Sequence, residues 1–388
     1  MFSHRTNWHR QQNRLAELLE SRCKSGKPFY DLTNSNPTDC GIIYPEKEIL
    51  EALAQLSALQ HQPDPRGLCS AREAIVQYYR AKNIIIDTGN IFLTASTSES
   101  YSMIFKLLCN AGESVLIPSP SYPLFEYLAQ VNDVNLQQYY LVYEHGWSID
   151  VDSVVSAVTT ATKAMVIVNP HNPTGAFLKK AEYRLLIEFA KQHHLALIVD
   201  EVFIDYAFEE EQERLGSTAG VSDVLTFTLN GISKLCGLPQ MKLGWITVSG
   251  EQSVVSEAAD RLEILCDTFL SVNTSVQVAL PELLKVTPPV RSAILQQVKS
   301  NYNFLKDSLF NSQCSVLCTE GGWWTILKVP HTKSDEAWTL ELLDQSGVYL
   351  FPGYFFEFLE ECYLVVSLLA ERESFQSAVK NIHHAISL

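Results

Sequence analysis

The sequence predicts an α/β fold. A large domain with a mainly parallel sheet covered by helices is joined to a smaller α+β domain. Three observations predict it. Strand-length apolar runs alternate with helical patterns through the middle of the chain. Those runs are almost continuously apolar, as strands buried on both faces are. The length, 388 residues, is more than one hydrophobic core usually serves, so two domains are expected.

Taken in order, residues 7–24 read as a short amphipathic helix and 28–45 as a loop containing Pro and Asn. Helical patterns follow at about 46–60 and 70–82. Residues 91–94 read as a strand and 99–110 as a helix. Residues 114–117 are strand-like, and 122–132 helical. A buried strand at 164–168 precedes a helix at 180–193 and a further strand at 195–199. The apolar run 224–229 is another. Residues 251–285 look helical and lead out of this domain. Short strands recur at 325–329 and 363–367. The predicted division is 45–280 for the large domain, with 1–44 and 281–388 forming the small one.

Composition excludes several classes. Hydrophobic residues make up 46% and charged residues 19%, as in ordinary globular proteins. The net charge of −15 argues against nucleic-acid binding, which needs a basic stripe. The nine cysteines are scattered and odd in number, which fits a reduced intracellular chain. Cys314 and Cys318 have no partner pair at zinc-finger spacing, so no metal is expected. The start lacks the apolar core of a signal peptide, and no apolar run reaches the roughly 18 residues that span a bilayer. The expected location is the cytoplasm.

In such a sheet, ligands gather at the carboxyl ends of the strands. Four polar clusters fall there. Ser96-Thr97-Ser98-Glu99 offers donors at a helix start and suits a phosphate; it also suits a plain helix cap. Asn169-Pro170-His171-Asn172-Pro173-Thr174-Gly175 is a non-helical turn able to aim Asn172 into a cleft, or a tight connection only. Asp200-Glu201 ends a buried strand, where an unpaired charge is costly and wants a cation. The fourth cluster holds Lys234, in a glycine-containing loop just past a strand, with Lys242 eight residues on. Lysines in such places become Schiff-base nucleophiles, although most lysines are surface residues. The set matches pyridoxal 5′-phosphate: a phosphate site, a donor to the ring oxygen, a counter-ion for the ring nitrogen, and an amine for the aldehyde.

On these motifs the chain resembles the fold-type-I, pyridoxal-phosphate-dependent class I/II aminotransferases, of the aspartate aminotransferase kind, from about Tyr30 to Ser387. The most specific segments are Asn169 to Gly175, Val199-Asp200-Glu201-Val202 and Ser233 to Gly244. The resemblance implies a transaminase moving an amino group between an amino acid and a 2-oxo acid by a ping-pong route. It implies that Lys234 forms the Schiff base and then moves the proton. Asp200 would pair with the ring nitrogen, Asn172 would donate to the ring oxygen, and Tyr122 would stack on the ring. Ser96, Thr97 and Ser98, with Lys242, would hold the phosphate. A homodimer is implied, with His61 near the place of a Tyr that reaches across the interface. The alternatives are a β-eliminating lyase, a decarboxylase or a cyclising synthase on the same fold, or a non-catalytic relative.

The chain also departs from the family pattern. Lys242 stands for an Arg, which loses the bidentate fork. Phe203 stands for a Tyr that helps hold the ring oxygen, and Gly231 for a Ser. Val365 falls at the place of the substrate-carboxylate Arg. Arg66 and Arg372 are the replacement candidates, and Trp323 and Trp324 line either the substrate pocket or the core.

Overall fold

The computed structural model describes residues 1–8, 11–220 and 223–386. In chain order its strands are β1 (Tyr30–Asp31), β2 (Ile91–Thr94), β3 (Ser114–Ser119), β4 (Asn135–Tyr143), β5 (Trp147–Ile149), β6 (Thr162–Val168) and β7 (Ala196–Asp200). They continue with β8 (Thr226–Gly231), β9 (Gly244–Ser249), β10 (Ser315–Val316), β11 (Trp324–Lys328), β12 (Val348–Tyr349), β13 (Phe351–Pro352) and β14 (Tyr363–Ser367). The main sheet has the order β2-β9-β8-β7-β6-β3-β4-β5. The pairs β4–β3, β3–β6, β6–β7 and β7–β8 are parallel. Only β9 and β5 run against the rest.

Period-two geometry sends neighbouring residues of each strand to opposite faces. Val115, Ile117, Val166, Ile198 and Phe227 pack on one face, against residues of the helices Thr97–Leu108 and Gln252–Phe269. Leu116, Met165, Ile167, Leu197 and Val199 pack on the other, against the helix Lys180–His193. Both faces are covered, which is why these strands read as unbroken apolar runs.

The strands the sequence reading missed are those with a different environment. β4 begins Asn135-Leu136-Gln137-Gln138 and is only partly buried, near the sheet edge where β5 ends it. β9 is antiparallel and directly follows the Lys234 loop, so no helix announces it. Several boundaries shift. The expected helix at 7–24 is the helix Arg14–Lys24, capped by the Asn13 side chain accepting from Ala16 N at 2.8 Å; residues 9 and 10, like Ser387, lie outside the described residues. The expected helix at 99–110 begins at Thr97, because Ser96 caps it. The expected helix at 122–132 is Phe125–Val131, which leaves Tyr122 ahead of it.

A second, antiparallel sheet runs β10-β11-β14-β13, and β1 joins β12 in a parallel pair. One core unites Leu32, Val290, Trp324, Val365 and Phe375 with Phe203 and Tyr206 from the loop after β7. The later part of the chain is thereby anchored beside the carboxyl end of β7.

Candidate active site

β2, β6, β7 and β8 share one direction, so their carboxyl ends lie along one edge of the sheet. That edge brings together the 96–98 cluster, the Asn169–Gly175 turn, Asp200 and Lys234. β9 runs the other way and starts at the same edge, two residues after Lys242.

Asp200 is the last residue of β7 and is 9% exposed. Val202 N donates to its Oδ1 at 3.1 Å, and the Tyr101 hydroxyl donates to its Oδ2 at 3.1 Å. Burial pushes its carboxyl up to about 6, against the opposing pull of those two donors and of the Lys234 charge. Among the described residues it has no cationic hydrogen-bond partner. Such a buried carboxylate is completed by a cation.

Lys234 lies in the one-turn helix Ile232–Leu235 that follows β8. Its backbone is fixed by the Tyr206 hydroxyl, which donates to the Lys234 carbonyl at 2.6 Å. Its Nζ sits 4.6 Å from the Trp323 ring centre and 5.5 Å from that of Phe203. Burial pulls the ammonium down to about 8; Asp200 opposes this and Lys242 adds to it. A lysine so shifted holds a neutral, nucleophilic fraction near neutral pH.

Two close approaches build the walls. A Cβ on Gly244 would stand 3.2 Å from Ser96 C and Thr97 N, so a larger residue there would press β9 away from the start of the helix Thr97–Leu108 by a few tenths of an ångström. A Cβ on Gly175, whose φ is +71°, would stand 2.4 Å from the Gly321 carbonyl oxygen. The Glu320-Gly321-Gly322 loop is thereby clamped to the Asn172 turn, with Glu320 N donating to Gly175 O at 3.2 Å and Phe177 N to Glu320 Oε2 at 2.6 Å. That loop carries Trp323 onto Lys234.

The remaining expected residues divide. Ser96 Oγ accepts from Glu99 N at 3.2 Å, so this hydroxyl acts as a helix cap. Thr97 and Ser98 form the first helical turn, whose N–H groups lack intrahelical acceptors. Lys242 is exposed and holds a left-handed φ of +54°. Asn172 is partly buried, and its amide oxygen has no partner. Tyr122 is exposed on one side and meets Phe125 edge-on at 6.3 Å. Its hydroxyl is raised by burial and then by the Asp200 charge.

Arg66 is a correction. Its guanidinium binds Glu263 Oε2 through Nε at 2.7 Å and through Nη2 at 2.6 Å, while Nη1 donates to Gly89 O at 2.5 Å. With its fork occupied by structural partners, it is not free for a substrate carboxylate. His61 is exposed on a rim shared with Gly67, Thr94 and Glu99. Arg372 is exposed at the start of the last helix. Val365 is fully buried, paired with Ile326 and Phe351 in the second sheet. Phe203 is buried beside Trp323, at 5.3 Å between rings. Trp324 belongs to the core with Phe351 and Phe356.

Sequence reasoning missed Tyr101 and Tyr206. Tyr101 lies one helical turn after Thr97, so its ring shares a face with the helix start; that spacing was the available signal. Tyr206 lies in irregular backbone after β7, where spacing carries no direction.

Fold and site together define a pyridoxal-phosphate-dependent aminotransferase. The residues present fit that cofactor: a buried carboxylate with no cationic hydrogen-bond partner among the described residues, a depressed lysine on the same sheet edge, a partly buried Asn172 side chain whose amide NH2 is a donor, and a helix start packed on a glycine. Residues 31–376 match the family Aminotransferase class I and II, and the chain belongs to it. The glutamate-pyruvate aminotransferase AlaA of Haemophilus influenzae is 30% identical over 354 residues, covering 89% of this chain and 85% of that protein. The Escherichia coli protein of the same name is 29% identical over 262 residues, 67% of this chain and 64% of its own length. The solved alanine aminotransferase of Pyrococcus furiosus superposes with a TM-score of 0.90 at 23% identity, covering 100% of this chain and 99% of that one. Among the described residues no helix is long and apolar enough to cross a membrane.

Proposed function

We propose that Lys234 is the residue that binds the cofactor aldehyde and moves the substrate proton, and that Asp200 is the ring-nitrogen partner. The observation that carries this is the Lys234 amine, depressed to about 8 by burial, on the same sheet edge as the carboxylate of Asp200. Bound here, pyridoxal 5′-phosphate supplies an electron sink for the substrate Cα. Asp200 holds a proton on the ring nitrogen by charge. Asn172 directs its amide to the ring oxygen, and Tyr122 covers one ring face. Thr97, Ser98 and Lys242 hold the phosphate, with the helix start adding its dipole. Ser96 contributes through the cap it makes.

Phe203 and Trp323 wall the lysine with apolar rings, which excludes water and favours proton transfer. Substrates are amino acids and 2-oxo acids. Glutamate and pyruvate, which name the relatives, are the first pair to test. With Val365 buried, the α-carboxylate is held by other groups than a β14 arginine. We also infer a cytoplasmic homodimer. Leu56, Leu59, Ile264 and Phe269 are strongly exposed apolar residues of the kind a partner copy covers. Our division of the chain remains 45–280, with 1–44 and 281–388 as the smaller part.

The experiment is a half-reaction screen. Each amino acid is added to the loaded enzyme, and the cofactor's absorbance is read. A conversion that a 2-oxo acid reverses supports the reading. Retention of full conversion in Lys234→Ala contradicts it.

A further inference from the structure

We propose that Tyr101 is a positioning residue for the cofactor, acting through Asp200: its buried hydroxyl fixes the carboxylate that faces the ring nitrogen. The inference rests on the reading of Asp200 given above.

The geometry is specific. Tyr101 is 3% exposed, and its hydroxyl donates to Asp200 Oδ2 at 3.1 Å while Val202 N donates to Oδ1 at 3.1 Å. Each carboxylate oxygen thus receives one fixed donor. Two donors on two oxygens set the rotation of the carboxylate plane and leave lone pairs for a cation. Donors to the charged form also favour it, so the proton shared by Asp200 and a ring nitrogen is biased toward the ring.

The Tyr101 ring is held as well. It meets Phe125 edge-on at 5.1 Å and Phe105 at 6.0 Å. Phe125 in turn meets Tyr122 edge-on at 6.3 Å. Tyr122 and Asp200 are therefore linked through two aromatic contacts, both made by Phe125, and the Tyr101 hydrogen bond. Tyr101 also stands in the helix whose first turn offers Thr97 and Ser98, so one rigid helix places both ends of the cofactor site. The titratable groups facing Asp200 are Tyr101, Lys234 and Tyr122, from three separate elements. Of these only Tyr101 hydrogen-bonds to the carboxylate.

The test is a double-mutant cycle of Tyr101→Phe and Asp200→Asn, read as cofactor affinity of the cofactor-free protein, bound-cofactor absorbance against pH, and kcat with KM. A hydrogen bond to a charged group predicts that Tyr101→Phe weakens cofactor binding about tenfold. It should lower kcat with KM little changed and shift the absorbance titration. In the Asp200→Asn background the same change should have almost no effect. Equal losses in both backgrounds, or no loss in either, overturn the proposal. If Asp200→Asn alone changes nothing, the reading of Asp200 itself fails; if Asp200→Asn matters and Tyr101→Phe does not, only this inference fails. Should Tyr101→Phe not fold, recovery of folding in the double variant supports the coupling, and failure of both variants to fold overturns it.

Discussion

The cofactor edge of the main sheet and the β14 strand of the second sheet have opposite characters. At the first, burial displaces two ionisable groups from their ordinary values: the Asp200 carboxyl is pushed up to about 6 and has no cationic hydrogen-bond partner among the described residues, and the Lys234 ammonium is held down to about 8. At the second, the place where the family pattern puts an arginine holds Val365, fully buried among apolar residues. The first region carries the kind of burial cost that a bound ligand relieves. The second is satisfied as it stands. Unrelieved polar cost therefore marks the site more sharply than position in the family pattern does.

The largest expected effect breaks the first region. Lys234→Ala should lower turnover by at least about a thousandfold, since it removes both nucleophile and proton carrier. Asp200→Ala should follow, with a loss of about a hundredfold or more and weaker cofactor binding. Steady-state kinetics on the loaded variants check both. Near-normal turnover in Asp200→Ala would remove the ring-nitrogen assignment.

Val365→Arg sharpens the other side. If the position is core, the new charge is buried without a partner, and stability should fall by about 3–5 kcal/mol. If it opens to the substrate, the variant should instead fold normally and lower the amino-acid KM. Denaturant unfolding and KM separate the two outcomes.

The acid–base behaviour gives a prediction with a definite sign. The Asp200 carboxyl is raised in the folded chain, so stability due to it is present at low pH and is lost as pH rises from about 4 toward about 6. Lys234 is lowered, so its contribution is lost as pH falls from about 10 toward about 8. Between these limits the cofactor-free protein carries both penalties. The stability of Asp200→Asn relative to the unsubstituted protein should therefore improve from about pH 4 to about pH 6 and stay level above. A difference that is flat across pH 4–6 contradicts the buried-charge account. Lys242→Ala should weaken cofactor binding about tenfold and leave the fold intact. The smallest effect belongs to Arg66. Its pairing with Glu263 is only partly buried, so Arg66→Ala should cost about 1 kcal/mol of stability with amino-acid KM unchanged.

Much of this site was legible in the sequence because parallel strands have one end. Apolar runs followed by Ser96-Thr97-Ser98, Asn172, Asp200 and Lys234 could only collect on one edge. The alternation of faces in β3, β6 and β7 likewise follows from burial on both sides. Spacing could not tell where side chains with several donors would spend them. Arg66 turned to Glu263 and Gly89 O, and Ser96 to Glu99 N, because those partners were brought near by the fold. β4 and β9 escaped for a related reason: their patterns depend on sheet position. Tyr101 and Tyr206 act on Asp200 and Lys234 across 99 and 28 residues, a separation no local pattern bridges.

The central claim is that Lys234 is the residue that holds the cofactor. Hydride reduction of the loaded protein, followed by peptide mass analysis, tests it most directly. The account predicts the added cofactor mass on the peptide containing Lys234, and no such mass at that peptide in Lys234→Ala. Mass found on Lys242 or on another lysine, with Lys234 unmodified, would contradict it.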